Sequence, residues 1–198
     1  VDFYDESMKA VITSWRKAWA EELPFFQVEL APFEGVGVTG AKRYDVLRHQ
    51  QYKATSELDH AYDVCILDVG ERYNIHPRRK EKVGRRLAHL AMKYVYGDTS
   101  LVADMPIVKE AKRVGDAIEI YFDHCAGGLE ERLSLKDVLK VTQDGNPMDY
   151  SYELKGETLV LQGDFKAKTL IQYCEGNFVE ASLFNREDNP VFGFTLEV

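Results

Sequence analysis

One histidine of this sequence stands where an α/β protein would keep a catalytic base. His76 is followed by Pro77 and lies between the apolar run AYDVCILDVG and a strongly basic helical pattern. Ligands of parallel α/β folds bind at the carboxyl ends of the strands, and a histidine at that edge suits general base catalysis. The alternative is a histidine at a helix start, where Pro77 presets the backbone.

A catalytic histidine also needs a carboxylate to orient its ring, and the same loop offers two. Glu71 lies five residues before His76, and Asp68 lies eight residues before it. We take Glu71 as the predicted acid and Asp68 as the alternative, because the loop needs room to reverse. The structural alternatives are a solvated Glu71 and an Asp68 that caps a strand end.

Arg78 and Arg79 open a basic cluster in an otherwise acidic chain. Its further members are Lys80, Lys82, Arg85 and Arg86. The cluster could bind an anionic ligand such as a sugar carboxylate, or it could be a solvated helix face. Because cations in a first helical turn oppose the helix dipole, Arg78 and Arg79 are the predicted substrate-binding residues.

No candidate nucleophile accompanies His76. The sequence contains no GxSxG motif, and its seven serines fall in helical or β contexts. The three cysteines are scattered and the five histidines lack the spacing of metal ligands. The sequence therefore predicts no metal site.

Helix and strand alternate in the first half of the chain. Apolar residues spaced by three and four predict helices over 6–22, 43–57 and 80–96. Short apolar runs predict buried strands in FFQVELAPF and over Val64–Val69. This order is typical of a parallel sheet, but two parallel strands cannot bury themselves, so we expect that part of the domain lies outside this sequence. The predicted inner face of the first helix consists of Met8, Val11, Ile12, Trp15, Ala18 and Trp19.

From Ser100 onward the apolar period changes to about two, which predicts antiparallel strands. The expected domains are therefore 1–99, which carries the histidine loop, and 100–198, a β-rich accessory domain. The segment LSLKDVLKVT is left open between helix and strand.

Composition is that of an ordinary globular protein. The 198 residues are 45 % hydrophobic and 29 % charged, with a net charge of −8 that argues against nucleic-acid binding. No apolar run approaches the roughly 20 residues of a membrane span. Three scattered cysteines favour a reducing compartment such as the cytoplasm over secretion, and the compartment otherwise stays open.

The order of motifs resembles the C-terminal part of the sialate O-acetylesterase family, and the resemblance covers essentially the whole chain. The block NIHP…VGRRLA is the most specific part. The other segments that carry the resemblance are MKAVITSWRKAW, PFFQVELAPF, YDVLRHQQ, FDHCAGGL and EASLFNREDNPVFGF.

The resemblance implies a fold, a reaction and a role for His76. The fold would be the C-terminal part of a flavodoxin-like SGNH (GDSL-like) hydrolase with three α/β/α layers, followed by a β-rich module. The reaction would be hydrolysis of acetyl esters on sugars, with 9-O-acetylated sialic acid as the expected substrate and without metal or organic cofactor. His76 would correspond to the catalytic histidine of the family.

Two departures from the family pattern matter. Asn74 and Tyr73 stand two and three residues before His76, where the family or its superfamily has Asp. The serine and the oxyanion-hole segments of the family lie upstream of the matched region. We therefore expect an N-terminal partner segment or chain, with a homo-oligomer as a further option, and no activity from this chain alone.

Two alternative functions remain open from the sequence. One keeps the esterase and changes the substrate to acetylxylan or another polysaccharide. The other is a non-catalytic carbohydrate-binding or scaffold module, in which the basic helix and the aromatic residues of the β-rich half would bind.

Overall fold

The computed structural model describes residues 3–35 and 43–198, and the chain forms two compact units. The first unit comprises Val1–Ala103 together with Gly176–Phe178, and the second comprises Asp104–Glu175 and Val179–Val198. The sequence pattern predicts a single boundary between residues 99 and 100. The structure differs in that a short segment from late in the chain belongs to the first unit.

The first unit is a mixed α/β structure with the expected order of elements. Strands β1 (Phe25–Val28) and β2 (Ala61–Val64) pair in parallel, with Phe25 opposite Ala61 and Val28 opposite Val64. None of the helices in the described ranges is long and apolar enough to cross a membrane. The elements are α1 (Tyr4–Trp19), β1 (Phe25–Val28), α2 (Tyr44–Ser56), β2 (Ala61–Val64) and α3 (Lys80–Tyr94).

Helix α3 packs on one face of this small sheet. Its buried Leu90 joins Val64 and Ile66 in the core, and Leu87 packs against the same cluster. Tyr94 lies at the edge, 37 % exposed, and its ring stacks on Tyr62 at 3.9 Å between centroids. Gly97, two residues after the C-cap Val95, has φ +76°, a conformation that favours glycine.

Strand β2 is shorter than predicted and lies earlier. It ends at Val64, whereas the expectation was a strand over Val64–Val69. The reason is tertiary, because the Cys65 carbonyl accepts a hydrogen bond from Arg86 of α3 instead of continuing the sheet. Residues 65–69 keep their apolar burial without strand pairing.

Most of the residues predicted to form the inner face of α1 are not buried, so this prediction was wrong. Only Ile12 is fully buried, whereas Val11, Trp15 and Trp19 are 41 %, 56 % and 73 % exposed. The three exposed residues follow one another at a spacing of four, so they form one apolar stripe along the helix. The Trp15 ring lies 6.0 Å from that of Phe25, the first residue of β1.

The second unit consists of antiparallel strands, as predicted. The strands are β3 (Ile107–Val114), β4 (Ala117–Asp123), β5 (Leu129–Glu131), β6 (Leu139–Gln143), β7 (Asn146–Pro147), β8 (Ser151–Lys155), β9 (Thr158–Gln162), β10 (Thr169–Tyr173), β11 (Leu183–Asn185) and β12 (Phe194–Glu197). One sheet has the order β3-β4-β9-β8, another has the order β12-β10-β6-β7, and β5 pairs with β11. The segment LSLKDVLKVT forms a 3₁₀ turn (Leu135–Asp137) and then the strand β6.

Two carboxyl groups are buried on the α2 side of the parallel sheet. Gln27 donates a hydrogen bond to Asp63 at 3.3 Å, and Arg48 of α2 attracts the charge of Glu29. Burial raises the pKa of Asp63 to about 7. Burial and the nearby Asp63 charge raise the pKa of Glu29 well above its usual value. This side of the sheet therefore contains acids that are costly to ionise.

We expect Asp63→Asn to flatten the pH dependence of stability. The pKa of Asp63 is higher in the folded state, so stability is lost as the pH rises from about 4 to about 7. Asn stays neutral, so the variant should match the wild type near pH 4 and exceed its free energy of unfolding near pH 8 by on the order of 1–3 kcal/mol. Denaturant titrations of the full chain measure this, with exposed Asp149→Asn as the control. Parallel wild-type and Asp63→Asn curves would contradict the assignment.

Candidate active site

The His76 loop, residues 65–79, connects the carboxyl end of β2 to the start of α3. Its first part, Cys65–Val69, is buried except for the partly exposed Asp68 residue, and the part around His76 is exposed. Because β1 and β2 run parallel, this loop leaves the sheet at the same edge as the segment after β1. His76 therefore lies at the edge where ligands of parallel sheets bind.

Asp68 is held by two cations of α3. Arg86 Nη1 lies 2.7 Å from Asp68 Oδ1, and Arg86 Nη2 lies 2.9 Å from Oδ2. Lys82 Nζ lies 2.9 Å from the same Oδ2 atom. The Asp68 side chain is 7 % exposed and that of Arg86 only 1 %. This is a bidentate, buried ion pair, the geometry in which Arg binds a carboxylate most specifically.

The charge state of Asp68 follows from these contacts. Burial opposes ionisation, but the hydrogen bonds and charges of Arg86 and Lys82 outweigh it, so the pKa of Asp68 is lowered. Asp68 is therefore an anion engaged with α3. The structure places this alternative acid of the histidine at the base of the loop, where it anchors the loop to the helix.

Glu71 links the two ends of the exposed part of the loop through hydrogen bonds. Its Oε1 accepts hydrogen bonds from the Arg78 backbone N–H at 2.8 Å and from Arg78 Nε at 3.2 Å. Its Oε2 accepts a hydrogen bond from Asn74 Nδ2 at 3.2 Å. The backbone hydrogen bond from Arg78, followed by those from the Arg78 and Asn74 side chains, lowers the pKa of Glu71. Glu71 is thus an anion that joins the two ends of the segment 71–78.

Asn74 connects Glu71 to His76. Its Oδ1 accepts a hydrogen bond from the His76 backbone N–H at 3.1 Å, while its amide donates to Glu71. An aspartate at position 74 could not donate in this way, because an ionised carboxylate only accepts. The structure therefore brings Glu71 and His76 together through the side chain of Asn74. Within residues 3–35 and 43–198, no hydrogen bond to the His76 imidazole occurs.

Gly70 lets this loop touch the segment after β1. A Cβ atom at Gly70 would lie 2.4 Å from the Pro32 carbonyl oxygen and 2.7 Å from Pro32 Cβ. Beyond this contact, the backbone N–H groups of Glu34 and Gly35 donate to the Arg72 carbonyl at 2.9 and 3.2 Å. The loop is therefore supported on one side by α3 and on the other by residues 32–35.

The predicted substrate-binding arginines have different surroundings. Arg78 pairs with Glu71 and stays 86 % exposed, whereas Arg79 directly precedes α3, is exposed, and has no ion-pair partner in the described part of the chain. Sequence reasoning grouped Arg86 with this cluster and missed its buried role. The available signal was its position four residues before Leu90, on the inner face of α3.

The arrangement can carry a proton-transfer step. It presents an exposed imidazole on a loop whose two carboxylates, Asp68 and Glu71, are both held by basic partners. Among the described residues, no group of His, Cys, Asp or Glu side chains could hold a metal ion. The three cysteines are buried thiols; burial raises the pKa of Cys125 to about 12 and that of Cys65 well above its usual value.

Comparison with known proteins finds a similarity to an enzyme of known structure. No family model matches the chain, and no curated protein matches it. Among solved structures, the chain is similar to the crystal structure of a carbohydrate acetylesterase from Xanthomonas citri, with 28 % sequence identity and a TM-score of 0.82. The match covers 98 % of this chain and 46 % of that enzyme, so the chain spans less than half of its length. The similarity supports the resemblance to carbohydrate esterases.

We expect Gly70→Ala to disturb the contact between the two loops. The added methyl group would overlap the Pro32 backbone, which should cost about 1–3 kcal/mol of stability. Gly84→Ala is the matched control, because nothing lies within 4 Å of the position that its methyl group would take, and alanine should stabilise helix α3. Thermal unfolding of the full chain measures both. Equal melting temperatures for the two variants would show that the close approach at Gly70 is not needed.

Asp68→Asn should be strongly destabilising, because it leaves the Arg86 charge buried without a carboxylate. Breaking one partner of such a pair costs about 3–5 kcal/mol. Arg86→Met in the same background should recover much of this loss, since the unpaired charge is then gone. Lys82→Met is the control for a partly exposed partner and should cost far less. If the stability losses of the two single variants simply add in the double variant, the pair contributes no coupling energy.

Proposed function

We propose that the chain is part of a serine-dependent carbohydrate O-acetylesterase in which His76 is the catalytic base. The observation that carries this proposal is the exposed His76 at the carboxyl edge of the parallel sheet, on a loop fixed at Asp68 and Glu71. The similarity to a carbohydrate acetylesterase supports the reaction class.

The proposed mechanism uses one imidazole twice. His76 takes the proton of a serine Oγ, which attacks the acetyl carbonyl carbon and forms a new C–O bond. The bond to the sugar oxygen then breaks, and His76 returns the proton to that oxygen. Water repeats the sequence on the acetyl-serine, releasing acetate and restoring the serine. Glu71 acts on His76 through Asn74, so it holds the loop and does not contact the ring.

The serine and the oxyanion donors would come from a complementary segment. Helices cover both faces of the parallel sheet, α3 on one and α2 on the other, which fits one part of an SGNH-type three-layer domain. Among the residues that the structure describes, this sheet has two strands, and the apolar stripe of Val11, Trp15 and Trp19 is exposed beside it. A segment that adds strands and covers this stripe would complete the domain.

The proposed substrate is a 9-O-acetylated sialic acid, as the family resemblance implies. Arg79, exposed at the end of the His76 loop, is the residue we propose for the sugar carboxylate. An acetylated xylan is the alternative substrate within the same reaction class, and it would not need Arg79.

The first experiment measures acetate release by this chain, alone and combined with the segment that its gene encodes immediately upstream. The substrates are 4-nitrophenyl acetate, 9-O-acetyl sialic acid and acetylated xylo-oligosaccharides. We expect activity from the combination, and His76→Ala should lower kcat about a thousandfold or more, because proton transfer from the serine is lost. His89→Ala, on α3, is the matched control and should keep the activity.

Two results would contradict the proposal. If the combination hydrolyses no substrate, the esterase assignment fails and the carbohydrate-binding alternative becomes the better account. If His76→Ala retains full activity, an esterase is present but His76 is not its base.

A further inference from the structure

Three residues from late in the chain pack against the first unit near the carboxyl end of β1. Gly176–Phe178 belongs to this unit, although the chain before and after it lies in the β-rich unit. The Gly176 carbonyl accepts a hydrogen bond at 2.6 Å, and the backbone and side-chain oxygens of Asn177 accept two more at 3.0 and 3.2 Å. The donors are Arg48 Nη2, Phe33 N–H and Tyr44 N–H.

This segment places an aromatic ring against the His76 loop. The Arg72 guanidinium carbon lies 4.4 Å from the centroid of the Phe178 ring, and Phe178 is half-buried. Arg72 also forms an ion pair with Glu34, and both of these side chains are 48 % exposed. The result is a half-open stack of an aromatic ring and a guanidinium, with a carboxylate beside it.

Arg72 and His76 lie on the same short turn. The Asn74 N–H donates to the Glu71 carbonyl at 3.3 Å, which closes residues 71–74 into a turn with Arg72 at its exposed tip. His76 follows two residues after this turn. The Arg72 carbonyl is also fixed by residues 34 and 35, so the position of the stack is tied to that of the loop.

The chemistry of this stack suits the hydroxyl groups and C–H faces of a sugar. An aromatic ring supplies a flat apolar surface for the C–H face of a pyranose, and the Arg–Glu pair supplies fixed donors and acceptors for neighbouring hydroxyls. Because Glu34 balances the charge of Arg72, the pair favours hydroxyl groups over a free carboxylate or phosphate.

We propose that Arg72 and Phe178 form a sugar-binding subsite that positions the acetylated sugar next to His76. This inference rests on the proposed esterase function, which it deepens by assigning residues that recognise the sugar. The segment Gly176–Phe178, which belongs to the first unit, then contributes to positioning of the substrate.

The test compares a substrate that has a sugar with one that has none. We expect Phe178→Ala and Arg72→Ala, each in the chain combined with its upstream segment, to lower the ratio of kcat/KM for an O-acetylated sugar to kcat/KM for 4-nitrophenyl acetate about tenfold. Arg72→Lys keeps the charge and loses the flat guanidinium, so it should behave like Arg72→Ala. Arg132→Ala is the matched control, because Arg132 lies 4.2 Å from the Phe184 ring in the β-rich unit, and it should leave the ratio unchanged.

A ratio that stays constant while both activities fall would assign Phe178 and Arg72 a purely structural role and overturn the subsite. Calorimetric titration of the full chain with deacetylated N-acetylneuraminic acid and with xylohexaose separates this inference from the proposed function. Binding that Phe178→Ala abolishes, in a preparation without esterase activity, would support the subsite and reject the esterase. Absence of both binding and activity would reject both proposals.

Discussion

The buried ion pair between Asp68 and Arg86 fixes the path of the chain after β2. An Arg with 1 % of its side chain exposed is stable only if its charge is compensated and its donors are used. The pair meets this requirement, because Arg86 also donates to the Cys65 carbonyl at 3.1 Å. These bonds end the parallel strand at Val64 and fasten the following residues to α3. This anchor fixes the first part of the His76 loop, and Glu71 and residues 32–35 hold the rest.

The same constraint explains how two acids and several cations share one short loop. Each acid close to His76 is paired with a basic group of the loop or of α3, so neither is left to hydrogen-bond to the imidazole. The carboxylates therefore contribute rigidity, and the exposed ring projects from a loop with little freedom at either end. A proton-transferring group gains from such preorganisation, since less conformational entropy is lost when substrate binds.

The parts of the fold that depend on local pattern could be predicted from the sequence, and the parts that depend on distant partners could not. Apolar spacing located α3, and apolar runs gave the two parallel strands in their correct order, although β2 lies earlier than predicted. The predicted end of β2 was wrong because it depends on Arg86, and the predicted inner face of α1 was wrong because most of its members are exposed. The insertion of Gly176–Phe178 leaves no local signal, because its partners lie more than a hundred residues earlier.

Two independent features of the first unit support the proposed complementary segment. The sequence offers a candidate base without a recognisable nucleophile, and the structure offers a two-stranded parallel sheet beside exposed tryptophans. A nucleophile alone could be supplied by any segment that reaches His76. Coverage of Trp15 and Trp19 needs a segment that packs along α1 at the border of the sheet, where Trp15 meets Phe25. A single complementary α/β segment meets both conditions, because added strands would carry their own carboxyl ends to the edge where His76 already lies.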